Sequence, residues 1–300
     1  MESLLDIENC RLCPRNCGVN RKKTHGFCKE KNKLRAARAA LHHWEEPCIS
    51  GTRGSGTVFF SGCTLKCCYC QNYSISQGDV GKEITTQKLT DIFLSLQEQG
   101  AHNINLVTPT QFLPWILPAL EAVRPKLHIP VIYNCGGYEK PELIYLLKGY
   151  IDIYLPDFKY YDSGLSLRYS GAKDYFQTAS RAIPAMIEQT GPPIFDSQGL
   201  LKKGVIIRHM VLPGCRKDSS AILNWLCHNL PKDSFLLSLL SQYTPFYKSS
   251  LYPEINRRIT TYEYSRVLEE ALDLGLDRGF MQEKSSAKEE YTPPFNLEGI

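Results

Sequence analysis

Residues 54–70 read GSGTVFFSGCTLKCCYC, and this stretch decides how the rest of the chain is interpreted. A glycine-rich start leads into a short apolar strand, predicted over Thr57–Ser61. The loop that follows carries Cys63, Cys67 and Cys70 in C-x3-C-x2-C spacing. The loop is therefore expected at the carboxyl end of a strand. In α/β folds built on parallel strands, that end of the sheet carries the chemistry.

Short apolar runs alternate with amphipathic stretches through the remainder of the chain. The predicted strands are Thr57–Ser61, Ile104–Thr108, Val131–Asn134, Ile151–Leu155, Val205–Leu212 and Phe235–Leu240. The predicted helices are Thr86–Gln99, Thr110–Val123, Lys140–Lys148, Asp174–Gln189, Ser219–Asn229 and Thr261–Leu274. Six strands alternating with six helices indicate a parallel sheet covered by helices. The number of units predicts an α/β fold, a partial (β/α)6 barrel, rather than a closed barrel of eight.

Composition and charge exclude several classes of protein. Of 300 residues, 43% are apolar and 22% charged, which excludes wholesale disorder, collagen and coiled coil. The 35 Lys and Arg against 31 Asp and Glu give a net charge of +4, too small to indicate nucleic-acid binding by itself. The sequence shows no signal peptide and no apolar run of about 18 residues. We therefore expect a cytoplasmic protein that does not enter a membrane.

Twelve cysteines are the unusual feature of the composition. In a reducing compartment, clustered cysteines are metal ligands more often than disulfides. A second group, Cys10, Cys13, Cys17 and Cys28, precedes the loop at 63–70. The stretch from residue 11 to 38 around it holds ten Lys or Arg against one acid, and few apolar residues. Such a stretch cannot build its own core, and a bound metal would supply the missing folding energy.

These patterns predict three parts. Residues 1–50 form a cysteine-rich metal-binding segment, residues 51–282 form the partial barrel, and residues 283–300 form an extended C-terminal tail. The pair His42-His43, beside Trp44, is predicted to be a solvated turn.

Polar residues follow the predicted strands, where a barrel places its active site. Besides the three cysteines after the first strand, these positions are Thr108, Thr110, Asn134, Asp157, Lys159, Arg208 and Gln242. They converge on one rim, and a role in packing alone would not require their polar groups. His209 alternates to the face opposite Arg208 on an extended strand, so it is left outside the site.

Three thiolates on one tight loop can hold three irons of a four-iron cluster and leave the fourth iron open to a substrate or cofactor. The alternative is a zinc site that pairs Cys67 and Cys70 with Cys10 and Cys13. The N-terminal group contains four candidate ligands of its own, and this favours the cluster.

The cysteine loop, with Tyr69 before its last cysteine, resembles the signature of the radical S-adenosylmethionine (SAM) superfamily. More narrowly, the chain is similar to uncharacterised homologues of pyruvate formate-lyase activating enzyme. The resemblance extends from about residue 10 to 283. Besides the loop it is carried, in order, by CRLCPRNC at 10–17, VTPT at 107–110, YN at 133–134, YLPDFK at 154–159 and RHMVLPG at 208–214.

The resemblance implies an oxidoreductase with a 4Fe–4S cluster on the three cysteines. The amino and carboxylate groups of SAM would chelate the open iron. An electron would then break the C5′–S bond, and the resulting 5′-deoxyadenosyl radical would take a hydrogen atom from a substrate. The cofactors supply this chemistry, and the protein supplies orientation and a closed site.

Four cofactor-facing residues follow from the resemblance position by position. Asn134 falls where activating enzymes have an Asp that contacts SAM. Asp157 and Lys159 match an Asp-x-Lys block after the fourth predicted strand. Arg208 matches a cofactor-facing Arg on the fifth.

There are four further SAM-binding candidates, and three of them stand where the family has other residues. The block that binds the methionine amino group is absent, and Thr108 and Thr110 stand in its place. Gln242 lies where activating enzymes have a His, and Tyr69 is expected to pack beside the cluster or the adenine.

The N-terminal cysteines are expected to hold a structural zinc or a second iron–sulfur cluster. A second cluster could relay electrons, whereas zinc has no redox chemistry. The basic residues nearby could dock an acidic electron donor, a flavodoxin or ferredoxin-type protein, or RNA. A solvated basic face is the simpler interpretation.

Three functions compete at this point. The first is a radical SAM enzyme that acts on a small molecule or on RNA. The second is an activating enzyme that installs a glycyl radical on a partner enzyme. The third is a non-enzymatic zinc-binding interaction module, which predicts zinc in place of iron at Cys63, Cys67 and Cys70.

Overall fold

The computed structural model describes residues 4–281 and 292–300. Within these ranges the strands are β1 Leu34–His42, β2 Ser55–Phe60, β3 Lys82–Ile84, β4 Ile104–Val107, β5 Val131–Cys135, β6 Ile153–Pro156, β7 Ile194–Phe195, β8 Leu201–Met210, β9 Leu236–Leu240 and β10 Gly279–Met281. The α-helices are α1 Pro47–Ser50, α2 Tyr73–Ser76, α3 Thr86–Glu98, α4 Leu113–Val123, α5 Pro141–Leu146, α6 Ser163–Ser170, α7 Tyr175–Thr190, α8 Arg216–Asn229 and α9 Thr261–Asp273. Every predicted strand and helix coincides with one of these elements, with ends that differ by a few residues.

The strands form a mostly parallel open sheet in the order β10-β9-β8-β6-β5-β4-β2-β1-β3, with β7 attached to β8. Val58 and Phe60 of β2 face outward and belong to the large core that the helices cover. Phe59, between them, faces inward, where it is in register with Val107 and, through it, with Asn134. The side chains of β2 therefore alternate between a packed outer face and an inner face. The predicted α/β partial barrel is confirmed.

Strands β1, β3 and β10 extend the sheet beyond the predicted elements. β1 pairs antiparallel with β2 from Ala36 to His42, and β3 pairs antiparallel with β1. β10 pairs parallel with β9. The predicted boundary at residue 50 needs correction, because β1 lies within residues 1–50 and is bonded to the strand that leads into the cysteine loop.

Short helix α1 fills the barrel interior at the amino ends of the parallel strands. Cys48 and Ile49 pack against inward-facing residues of four strands: Ile132, Ile153, Ile206 and Leu236 are among them. This apolar layer closes that end, so the cavity of the barrel is confined to the carboxyl ends of the strands. Among the described residues, no helix is long and apolar enough to cross a bilayer.

Residues 292–300 lie along the outer edge of β1. The Ala39 amide donates to the Glu298 carbonyl at 2.8 Å, and the Leu297 amide donates to the Ala37 carbonyl at 3.2 Å. The Phe295 ring meets the Phe59 ring edge-on, with centroids 5.3 Å apart. This part of the predicted tail is therefore attached to the sheet, and residues 283–291 of that tail lie outside the described residues.

Candidate active site

A chamber of about 320 Å³ lies at the carboxyl ends of the parallel strands. The loop after β2 contributes the three cysteines, and strands β5, β6 and β8 contribute polar residues from their ends. The chamber brings together ten of the predicted site residues: Cys63, Cys67, Tyr69, Cys70, Thr108, Asn134, Asp157, Lys159, Arg208 and Gln242.

Two contacts fix the start of the cysteine loop. Gly62 has a φ of +74°, and a Cβ at this position would lie 2.5 Å from the Cys28 carbonyl oxygen. Only glycine tolerates both the left-handed backbone and the close approach. The Gln111 amide donates to the carbonyls of Ser61 and Thr108, each at 2.8 Å. The loop is thereby joined to the turn that follows β4.

Each of the three predicted ligands in the loop has a hydrogen-bond partner at sulfur. The Leu65 amide donates to Cys63 Sγ at 3.4 Å, and the Ser170 hydroxyl donates to Cys67 Sγ at 2.9 Å. Ser76 Oγ lies 3.3 Å from Cys70 Sγ. Donors directed at sulfur stabilise the thiolate form that binds iron. This set of donors fits a 4Fe–4S cluster with three protein ligands.

Burial controls the ionisation of these thiols. It raises the pKa of Cys63 to about 12 and that of Cys70 to about 11, and the neighbouring Cys67 adds to both shifts. Thiols with such pKa values are protonated at neutral pH. They become ligands only when a bound cation displaces the protons, and a cluster supplies that positive charge.

An ionic network shares the chamber with the cysteines. Arg208 donates through Nε to Asp157 Oδ1 at 2.9 Å and through Nη2 to Asn134 Oδ1 at 2.6 Å. Its Nη1 lies 3.2 Å from Glu45 Oε2, and Lys159 Nζ lies 2.6 Å from Asp157 Oδ2. Burial alone would raise the pKa of Asp157, but Arg208 and Lys159 hold it below its ordinary value. The network therefore presents ionised groups in fixed positions.

Three chamber residues that the sequence did not indicate come from the end of β1 and its connection to α1: His42, Glu45 and Glu46. Burial raises the pKa of Glu46, which is hydrogen-bonded to Ser238. Burial also lowers the pKa of His42 to about 4, so its ring is neutral at neutral pH. His42 is the last residue of β1, and the prediction of a solvated turn is wrong for it.

Thr110 does not line the chamber, and its contact with SAM stays a prediction. It begins a 3-10 turn, and its hydroxyl donates to Glu139 Oε1 at 2.7 Å and accepts from Tyr133 at 3.0 Å. Burial raises the pKa of Glu139 to about 8. Thr108 does line the chamber, with a φ of +56° that is strained for a β-branched residue.

The N-terminal cysteines lie near one another outside the chamber. Burial raises the pKa of Cys13 to about 12, and Cys28 and Cys10 are among the charges that add to the shift. A Cβ at Gly26 would lie 3.2 Å from Cys28 Sγ and 3.8 Å from Cys17 Sγ.

Zinc ligands must converge on one ion, whereas cluster ligands bind separate irons. Within residues 4–281 and 292–300, no three His, Cys, Asp or Glu side chains converge in this way. The predicted zinc is therefore not shown and stays a prediction.

Two arginines attach the N-terminal segment to the barrel. Arg15 donates to the Thr64 carbonyl at 2.7 Å and to the Gly171 carbonyl at 2.5 Å. Arg21 is fully buried and donates to the Gln111 carbonyl at 2.6 Å. The segment thereby contacts the cysteine loop and the residue that anchors it.

Comparison with known proteins identifies the family of this chain. The sequence model of the radical SAM superfamily matches residues 57–214, more than half of the chain. The chain belongs to the radical SAM superfamily. Membership implies a 4Fe–4S cluster and SAM, and it agrees with the cysteine loop. An uncharacterized protein of Methanocaldococcus jannaschii is 34% identical over 282 residues, which cover 90% of this chain and 76% of the relative.

Two solved structures are similar at low sequence identity. SuiB of Streptococcus suis, solved bound to S-adenosylmethionine, is 15% identical with a TM-score of 0.48, and the match covers 74% of this chain and 48% of that one. The hydrogenase maturase HydG of Carboxydothermus hydrogenoformans is 14% identical with a TM-score of 0.49, and the match covers 79% and 55%. This chain thus spans about half the length of both proteins.

Proposed function

We propose that this radical SAM protein is an oxidoreductase that removes a hydrogen atom from a small molecule. Cys63, Cys67 and Cys70 would hold a 4Fe–4S cluster, and the cluster with SAM would supply the radical chemistry that removes the hydrogen atom. One observation carries this proposal. Three cysteines, each with a partner at sulfur, share a chamber with the Arg208 network.

The residues of the chamber have separate tasks in this proposal. Arg208, Asn134 and Asp157 would orient the charged amino-acid end of SAM, because their mutual hydrogen bonds fix where each polar atom points. Tyr69 is 5% exposed and meets Tyr243 edge-on at 5.6 Å, so it offers an apolar wall for the adenosyl group. A walled chamber also shields a primary alkyl radical from solvent.

The C-terminal residues support a small substrate. Thr292 and Pro293 line the chamber, and Phe295 packs on Phe59 beside it. A peptide loop of a glycyl radical enzyme would have to displace these contacts. Installation of a glycyl radical on a partner enzyme is therefore the alternative function and not the first proposal.

The basic N-terminal stretch supports a small molecule over RNA as well. Arg15 and Arg21 donate to backbone carbonyls. Arg35 and Arg38 form ion pairs with Asp79 and Glu298. These internal contacts leave fewer cations for phosphates. We propose that the electron comes from a reduced flavodoxin or ferredoxin-type protein.

Anaerobic reconstitution with iron and sulfide tests the proposal. The readout is 5′-deoxyadenosine formed from SAM under dithionite, with three additions in parallel: a low-molecular-weight metabolite extract, bulk tRNA, or a purified glycyl radical enzyme. We expect SAM cleavage in the absence of additions and stimulation by the metabolite extract alone. Stimulation by tRNA alone, or a glycyl radical signal on the partner enzyme, would select the corresponding alternative. A zinc-loaded loop without cleavage would select the non-enzymatic module.

A further inference from the structure

A series of three hydroxyls starts at Cys67 and returns to the cysteine loop at Tyr69. Ser170 Oγ lies 2.9 Å from Cys67 Sγ, and Tyr160 Oη lies 2.8 Å from Ser170 Oγ. Tyr69 Oη is in turn hydrogen-bonded to Tyr160 Oη. All of these residues are buried, and Ser170 and Tyr160 do not line the chamber.

The direction of this series of hydroxyls follows from counting protons. A cysteine that binds iron is a thiolate, so Cys67 Sγ can only accept and the Ser170 proton must point to it. The Ser170 oxygen then accepts from Tyr160, and Tyr160 accepts from Tyr69. Each hydroxyl polarises the next one, so the three hydroxyls together direct a partial positive charge toward Cys67 Sγ.

Ser170 is held in place by the backbone around it. It is the last residue of α6, and its carbonyl accepts from the Lys66 amide at 3.1 Å. The preceding carbonyl, of Tyr169, accepts from the Cys68 amide at 2.8 Å. The end of α6 is therefore docked on the cysteine loop by bonds on both sides of Cys67, and the hydroxyl has little freedom to leave the sulfur.

We propose that Ser170 is a positioning residue for Cys67 that raises the reduction potential of the cluster, with Tyr160 and Tyr69 reinforcing it. Reduction adds negative charge to the cluster and its thiolates, and a donor at sulfur stabilises the reduced form more than the oxidised form. The inference rests on the proposed function only in that the loop must hold the cluster.

The test compares Ser170→Ala with Ser166→Ala in the reconstituted protein. Ser166 lies one turn earlier on α6, is equally buried, and hydrogen-bonds the Ser163 carbonyl instead of a cysteine. The readout is the midpoint potential of the cluster, from a titration followed by electron paramagnetic resonance. We expect Ser170→Ala to lower the equilibrium constant of one-electron reduction by about tenfold, or about 59 mV. Ser166→Ala should leave it unchanged.

Tyr160→Phe provides a second measurement that keeps Ser170 in place. We expect a smaller shift in the same direction, about twofold to threefold in the equilibrium constant. If Ser170→Ala cannot hold iron, the shift in Tyr160→Phe decides. Wild-type potentials in every variant that carries a full cluster would overturn the inference and leave the proposed function standing. A wild-type chain that binds no cluster would instead remove the proposed function.

Discussion

The loop at residues 63–70 and the N-terminal segment at residues 10–28 share one local feature at sulfur and differ in their surroundings. In both, an amide two residues further along the chain donates to a cysteine. Leu65 donates to Cys63 in the loop, and Arg15 donates to Cys13 in the segment. This arrangement prepares a thiolate for metal binding wherever it occurs. The local geometry alone therefore does not distinguish a reactive centre from a structural one.

The surroundings make that distinction. The loop opens on the chamber with its ionic network, and serine hydroxyls also reach two of its sulfurs. The N-terminal segment instead packs against the barrel outside the chamber. Leu12 is 2% exposed, and the guanidinium of buried Arg21 lies over the Trp115 ring at 5.4 Å. We infer chemistry for the first group and a stabilising role for the second.

The largest expected effect separates neighbouring cysteines within the loop. Cys67→Ala should reduce 5′-deoxyadenosine formation by more than about a thousandfold, because loss of one ligand removes the cluster. Cys68→Ala is the matched control, since Cys68 is equally buried but does not line the chamber. We expect it to keep the iron content and the rate within about threefold. Equal losses in both variants would show that the spacing does not define the ligands.

The next effect tests the N-terminal segment. Cys13→Ala should lower the unfolding temperature by roughly 10 °C, as expected when a structural metal is lost. It should leave the rate per loaded cluster within about threefold. Metal analysis should show zinc in the wild type and none in the variant. Loss of four irons, with a fall in the rate, would instead establish a second cluster that takes part in electron transfer.

A pH effect sets Asp157 of the chamber apart from Glu139, a buried carboxyl near Cys13. In the chamber, Arg208 and Lys159 hold the pKa of Asp157 low, whereas burial raises that of Glu139, near Cys13, to about 8. A carboxyl with a raised pKa stays protonated in the folded state while the unfolded state ionises. The contribution of Glu139 to stability is therefore full below pH about 4.5 and falls as the pH rises toward 8, by at most about 1.4 kcal/mol per pH unit.

Glu139→Gln should remove the part of the slope that Glu139 contributes, because the amide oxygen still accepts from Thr110 but cannot ionise. The measurement is the free energy of unfolding of the metal-free chain in urea at several pH values. Identical slopes for the variant and the wild type would mean that Glu139 is ionised in the folded chain.

The features that could be predicted from the sequence are those that neighbouring residues along the chain determine. The six parallel strands, the cysteine spacing and the polar residues at strand ends are periodic or contiguous signals, and the chamber contains Asn134, Asp157, Lys159 and Arg208 as expected. Thr110 lies outside the chamber because a 3-10 turn after β4 directs its hydroxyl to Glu139. A pattern of strands and helices does not specify the direction in which a single side chain of such a turn points.

Other site residues depend on contacts between distant segments. Glu45 reaches Arg208 across 163 positions, and Ser170 reaches Cys67 across 103. Neither lies in a motif, and Glu45 follows β1, a strand that was not predicted. Such residues become visible only when the sheet order brings their segments together.

The smallest expected effect concerns the contact between the two cysteine regions. Arg15 donates to the Thr64 carbonyl of the loop and to the Gly171 carbonyl just past α6, and a lysine cannot reproduce this fork. Arg15→Lys should therefore lower the free energy of unfolding by about 1–2 kcal/mol. Arg11→Lys, at an exposed position of the same segment, should change it by less than about 0.5 kcal/mol. If Arg15→Lys also shifts the cluster potential, the N-terminal segment acts on the reactive loop through Arg15; if only stability changes, the two cysteine regions are joined mechanically and work independently.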